Sequence, residues 1–205
     1  MREGLAPEIL DQTLAHAVLV LTALSAACLA GVPAGVALSR RRGARAWALS
    51  LANVAQTIPS LALFGFLIPL PLVGGIGRRT AIVALVLYAL LPILRNTLTG
   101  LLGVEPSVLE SAVAMGMTPR QRLLRVELPL AAPTILAGVR TAAVQTVGTA
   151  TIAAAIGAGG LGVFIFRGLA SVDTGQILAG AVPAALLALA ADGGLGWAER
   201  RLSPA

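Results

Sequence analysis

The sequence predicts an all-α integral membrane protein of about five transmembrane helices. Three observations carry that expectation. Of 205 residues, 57% are hydrophobic, and the mean hydropathy is +0.89. Charged residues make up 12%, about half the usual share of a soluble domain. The apolar residues also gather into five runs, each near the ~20 residues that cross a ~30 Å hydrocarbon core. A soluble chain of this size has too little interior to hide so much apolar surface.

The first run covers 16–38 and is closed by SRRRGAR. The preceding MREGLAPEILDQ is acidic rather than basic, and the run passes through LSAAC at 24–28 without a break. It therefore reads as a retained span rather than a cleaved leader. Cys28 packs inside it, and His16 stands at its water boundary. The second run, 47–70, holds Pro59, which removes a backbone donor and bends a helix. A short GGIGRR turn leads to the third run, 80–98. A polar insert spans 100–132. The fourth run is 133–156, the fifth is 177–197, and the tail is ERRLSPA. No stretch suits a soluble domain, so 1–205 reads as one transmembrane domain.

Five spans place the termini on opposite sides. With the N-terminus outside, Arg40, Arg41, Arg42, Arg45, Arg95, Arg120, Arg122, Arg125, Arg140, Arg200 and Arg201 face the cytoplasm. Arg2, Arg78, Arg79 and Arg167 fall outside. The bias follows the positive-inside rule, and Trp47 and Trp197 then sit at the cytoplasmic interface. The C-terminus and the polar insert are cytoplasmic in this arrangement.

Composition excludes several chemistries. There are 15 arginines and lysines together, all of them arginine, so no standard P-loop is possible. One cysteine and one histidine rule out an intrachain disulfide and a conventional protein zinc site. Aromatics at 3% are too sparse for base stacking, so nucleic acid is not an expected partner. GAGGLG at 157–162 matches GxGxxG formally, but an apolar helix rather than a strand precedes it. It reads as a flexible corner at the outer mouth.

The insert reads as two short helices. Pro106 suits a first turn, and Ser107 with Glu110 offers a capping box. Gly116 ends that helix in the left-handed conformation. Thr118, Pro119 and Gln121 supply an N-cap, a first-turn proline and the reciprocal glutamine. The second helix stops before Pro129. Such an elbow either lies on anionic headgroups through Arg120, Arg122 and Arg125 or docks into another protein.

Two polar stripes mark the spans. Asn53, Gln56, Thr57 and Ser60 share one helical face, as do Thr141, Gln145 and Thr149, with Gly148 alongside. Polar side chains avoid lipid, so both stripes face protein or water. They serve either as interhelical contacts or as a solute path. Arg95 and Arg140, near span ends, either snorkel to the interface or act with Asn96 as a gate. Tyr88 alone cannot build a cage for a quaternary ammonium.

Glu110, Ser111 and Ala112, then Gly116 four residues on, then Val126, Leu128 and Pro129 resemble the EAA signature of bacterial ABC-importer permeases. That signature reads Glu-Ala-Ala, three residues, Gly, nine residues, Ile, one residue, Leu-Pro. Ser111 and Val126 replace alanine and isoleucine at matched spacing. NVAQTIPSLALFGFLIPL, YALLPILRNTLTG and VGTATIAAAIGAGGLGVFIFRGLAS are similar to permeases for glycine betaine, carnitine and choline. The resemblance covers about 15–190. It implies a type I ABC-importer permease (MetI-like) fold, in the bacterial inner membrane, with the insert as coupling helices. It further implies a pair of cytoplasmic ATPase subunits, a second permease copy or related permease, and an extracytoplasmic solute-binding protein. ATP and magnesium then belong to the partner; this chain binds no cofactor and is not itself an enzyme. A compatible solute is the implied cargo, with another small solute such as an amino acid as the alternative. The rivals from other classes are an ion-driven secondary carrier and a structural membrane adaptor. The carrier is disfavoured because no acid lies in the middle of an expected span.

Overall fold

The structure, a computed structural model, describes residues 5–71, 73 and 75–202. Arg2, assigned above to the outer side, lies outside the described residues. Everything regular among the described residues is helical. In chain order the helices are α1 (Leu5–Ser39), α2 (Arg42–Thr57), α3 (Ser60–Leu67), α4 (Arg78–Leu102), α5 (Pro106–Ala114) and α6 (Pro119–Arg122). A π-helical turn (Leu123–Glu127) then leads into α7 (Leu128–Ile152), a 3₁₀ turn (Ala153–Ile156), α8 (Gly162–Ser171) and α9 (Thr174–Leu202).

α1, α4 and α7 form the centre, with α4 packed along both of the others and α9 laid against α7. Small residues set how close they come. A Cβ on Gly35 would lie 2.6 Å from the Thr97 side chain, and one on Gly138 would lie 2.5 Å from Asn96 Cβ. The helix axes therefore approach more closely there than any larger residue permits, the usual solution where lipid gives helices no hydrophobic drive to associate. Ala27, Ala89, Ile93 and Ala142 are buried in the seam.

Among the described residues, four stretches are long and apolar enough to cross a membrane unbroken: Ala6–Ser39, Arg78–Leu102, Pro119–Ile156 and Thr174–Leu202. The straight span expected over 47–70 is replaced by α2 and α3, which meet at 100°. Pro59 causes the break. It holds Ile58 in the extended region at φ −72°, ψ 123°, because the residue before proline is driven out of helical geometry. The pair still carries the chain across. Arg40, just before α2, reaches Glu127 beside the insert, whereas Ile76, just before α4, lies against Gly157 at the far end of α7. Counting that bent pair as one span, the candidate spans among the described residues number five.

Two further expectations change. The second insert helix does not stop before Pro129; α6 runs through the π turn into α7. Leu128 N–H bonds Leu123 O, a five-residue step, and Pro129 follows directly after it in α7. His16 is not at a water boundary. α1 starts eleven residues earlier, and His16 is fully buried, with Nε2–H donating to Val147 O at 3.1 Å.

Candidate functional site

An open cavity of about 460 Å³ is cut between the α2–α3 corner, α4 and α7. Its polar lining is Gln56, Thr57, Ser60, Tyr88, Gln145 and Thr149, and no lining residue carries a formal charge. The corner is braced by an exchange that two prolines dictate. Pro92 within α4 has no N–H to give to Tyr88 O four residues earlier, and Gln56 Nε2 donates to that carbonyl at 3.0 Å. In return Tyr88 O–H donates to Ile58 O, at the frayed end of α2. α2 is thereby tied to α4 by two bonds just ahead of the break.

Gln145 is common to three hollows. Toward the insert it lines a cavity of about 390 Å³ with Arg140, Thr141, Asp192 and Glu199, and one of about 190 Å³ with Gln56, Arg95, Asn96 and Thr141. The face of α7 that carries Thr141, Val144, Gln145, Gly148 and Thr149 is thus the wall of a groove running along the spans. Of the two stripes expected from sequence, Gln56, Thr57, Ser60, Thr141, Gln145 and Thr149 converge on this groove. Asn53 does not; it is exposed on α2 and lines none of these hollows. Asn96 donates Nδ2–H to Pro92 O at 2.9 Å, and Arg95 stays exposed at the groove margin.

Arg140 does not stand alone. Its Nε and Nη2 grip Asp192 Oδ1 and Oδ2 at 2.6 and 2.7 Å, and Nη1 lies 3.4 Å from Glu199. This planar two-bond pairing fastens α7 to α9. Gly196 makes room, since a Cβ there would meet the guanidinium at 2.9 Å. Arg–Asp pairing across 52 residues leaves no local sequence signal, although an acid and a base at similar depth in two adjacent spans is a hint.

The insert is an elbow. α5 ends at a left-handed Gly116, φ 78°, with Met117 N–H bonding Ala112 O at 3.1 Å. The Thr118–Gln121 capping box forms in both directions. The one expected at Ser107 and Glu110 does not: Glu105 is the N-cap, and Ser107 Oγ–H donates to Glu105 at 2.7 Å. Ala112 is buried. Glu110 and Ser111 are exposed, with Ser111 Oγ–H bonded back to Ser107 O. A shallow apolar hollow of about 420 Å³ lies on the outer face between Leu109, Glu110, Val113, Ala114 and Arg122. Val126 and Leu128 are half-buried and Pro129 is exposed on the continuous helix that leaves the elbow.

At the other end, Gly157, Gly159 and Gly160 all adopt left-handed φ of 73° to 84°, and Gln12 Oε1 accepts Gly160 N–H at 2.8 Å. This corner leads into α8, a ten-residue helix lying between the fourth and fifth apolar runs. Arg167 of α8 pairs with Glu8 of α1 at 2.6 Å.

Comparison with known proteins adds three findings. A family model described as binding-protein-dependent transport system inner membrane component matches residues 27–204. The choline transport system permease protein OpuBB of Bacillus subtilis is 46% identical over 198 residues, 97% of this chain and 90% of that protein. The glycine betaine/carnitine/choline transport system permease protein OpuCD of the same organism is 46% identical over 96% of this chain and 85% of its own length. The osmoprotectant import permease protein OsmW of Salmonella typhimurium is 44% identical over 93% and 87%. In structure, chains from two inward-facing forms of the MetNI methionine ABC transporter superpose with TM-scores of 0.87 and 0.88. They are 24% and 23% identical and are matched over 100% of both chains.

Proposed function

The chain belongs to the binding-protein-dependent transport system inner membrane components, and from that membership we propose that it is the permease subunit of an ATP-driven importer of glycine betaine, choline or carnitine type solutes. The observation that carries the reading is the groove. One continuous face of α7 lines hollows from the α2–α3 corner to the insert side, and Gln145 belongs to all of them. A second permease, identical or related, closes the open side of that groove. At the α2–α3 corner the groove offers only neutral amides and hydroxyls, which suit a solute that must be released as readily as it is bound.

The elbow is the coupling element. Glu110, Gly116 and the apolar hollow beside them present a compact knob that seats in a cytoplasmic ATPase, which binds the ATP and magnesium. The chain itself catalyses no reaction. The Gly157–Gly160 corner and α8 face the outside, where a solute-binding protein delivers cargo. Nucleotide and loaded binding protein then bias two helix arrangements.

The test is reconstitution into proteoliposomes with the ATPase and the binding protein. Uptake of labelled choline or glycine betaine requires internal ATP. Uptake that persists without ATP, driven by a sodium or proton gradient, refutes the importer reading.

A further inference from the structure

Glu127 is the most deeply buried acid among the described residues, 3% exposed, and it sits in the π turn that joins the elbow to α7. Each of its oxygens is held. Arg40 Nη2, from the α1–α2 corner, lies 2.6 Å from Oε2, and Arg122 Nε, the last residue of α6, lies 2.9 Å from Oε1.

The Arg122 contact depends on the π register. In a regular α-helix residues i and i+5 point about 140° apart around the axis, too far for this pairing. In a π turn they are brought to one edge, since the backbone bond itself spans five residues. Leu128 N–H to Leu123 O is such a bond. Relaxing the turn to α geometry would rotate the elbow against α7 by about 100°, one residue's worth, and pull Arg122 off the carboxylate. Carboxylate and register hold each other. Arg40 adds the second link, because through it the corner between α1 and α2 moves with the base of the elbow.

We infer that Glu127 is a positioning residue of the coupling step: clamped by Arg122 and Arg40, it locks the π turn so that displacement of the elbow reaches α7 and the α1–α2 corner together. This role rests on the importer reading above. Glu127 touches neither solute nor nucleotide. It determines how much of the elbow's motion arrives at the groove.

The experiment uses the complete transporter in proteoliposomes and measures solute moved per ATP hydrolysed. Three variants are compared: Glu127→Gln, isosteric and uncharged; Arg40→Ala, trimmed at its half-exposed end; and Arg40→Lys, which keeps the charge. The inference expects Glu127→Gln and Arg40→Ala to lower the ratio about tenfold while the ATPase stays bound and turning over. Arg40→Lys restores most of it. In Glu127→Gln, backbone amides of 122–128 exchange with deuterium at least tenfold faster while those of α5 do not change. If the variants only lower the yield of complex, and the ratio in what survives is normal, Glu127 is structural and the inference fails. If exchange at 122–128 is unchanged, the clamp itself is refuted although the importer reading stands. If the unaltered transporter shows no ATP-dependent uptake, the importer reading fails first and the coupling role falls with it, whatever the exchange shows.

Discussion

Gln56 and Gln145 look alike in sequence, each a glutamine on a polar helical stripe, and the structure separates their work. Gln56 satisfies Tyr88 O, a carbonyl that Pro92 left without a donor. Gln145 lines three hollows of the groove. Alanine at the two sites should therefore fail differently. Gln56→Ala orphans a carbonyl and loosens the α2–α3 corner, costing about 1 kcal/mol of stability within the membrane together with uptake. Gln145→Ala should lower uptake at least fivefold while detergent-solubilised thermal unfolding stays within about 0.5 kcal/mol of the parent, the usual margin for a side chain outside the core. An equal loss of stability at both positions would mean that Gln145 is interhelical glue. Glycines divide the same way. Gly138 has no room for a methyl group, whereas a Cβ on Gly148 meets nothing within 4 Å. Gly148→Leu should fold and obstruct the groove, and uptake alongside intact unfolding checks it.

At the scale of elements, what was legible in the sequence was what neighbouring residues decide among themselves. The Thr118–Gln121 box closes within four residues and was readable; the left-handed Gly116 was readable because few other residues tolerate that φ. Ser107 and Glu110 misled because Glu105, one residue before Pro106, captured the cap. Pro129 misled because the helix continues through a π turn, invisible in composition, instead of stopping ahead of the proline. The 100° break at Pro59 was read as a bend within one span, since a proline's effect is local but the angle is set by Tyr88 and Gln56 across 30 residues and more. α8 was unread because ten residues behind a glycine corner are too short for a span. For the elbow the physics is local enough to predict. Thr118→Ala removes a cap worth about 1 kcal/mol, and Gly116→Val forces a β-branched residue into a left-handed bend at about 1–2 kcal/mol. Both act on α5 and α6 without touching the α1–α4–α7 seam. Each should abolish or sharply weaken co-purification of the ATPase, Gly116→Val more than Thr118→Ala, while unfolding of the spans is unchanged. ATPase retention by Gly116→Val would show that the corner's shape is not what the partner grips.

For the whole molecule, the spans and the arginines make one joint statement. α1 leaves Glu8 beside Arg167 at the end that carries α8 and arrives at Arg40 beside Glu127. α2 and α3 take the chain back to Ile76, α4 returns it to the elbow, and α7 and α9 complete the circuit at Arg200 and Arg201 in the last turn. The elbow end therefore collects Arg40, Arg41, Arg42, Arg45, Arg120, Arg122, Arg125, Arg200 and Arg201, while Arg78, Arg79 and Arg167 mark the opposite end. Short loops so unequal in arginine predict an elbow end turned toward the cytoplasm. The α9 stripe of Leu178, Val182, Leu186 and Leu189 stays exposed in the isolated chain, as a lipid-facing surface must. The expectation is checked by single-cysteine labelling on a Cys28→Ser background. Ile76→Cys and Met115→Cys replace side chains 77% and 69% exposed, so a maleimide has equal access to both apart from the membrane. An impermeant maleimide should label Ile76→Cys in intact cells and leave Met115→Cys unreacted until inverted vesicles are used. The reverse pattern would turn the molecule over and place the elbow beyond reach of any cytoplasmic ATPase. Labelling of both from one side would mean that α4, between them, does not cross the bilayer, and the groove it lines could not be a path through it.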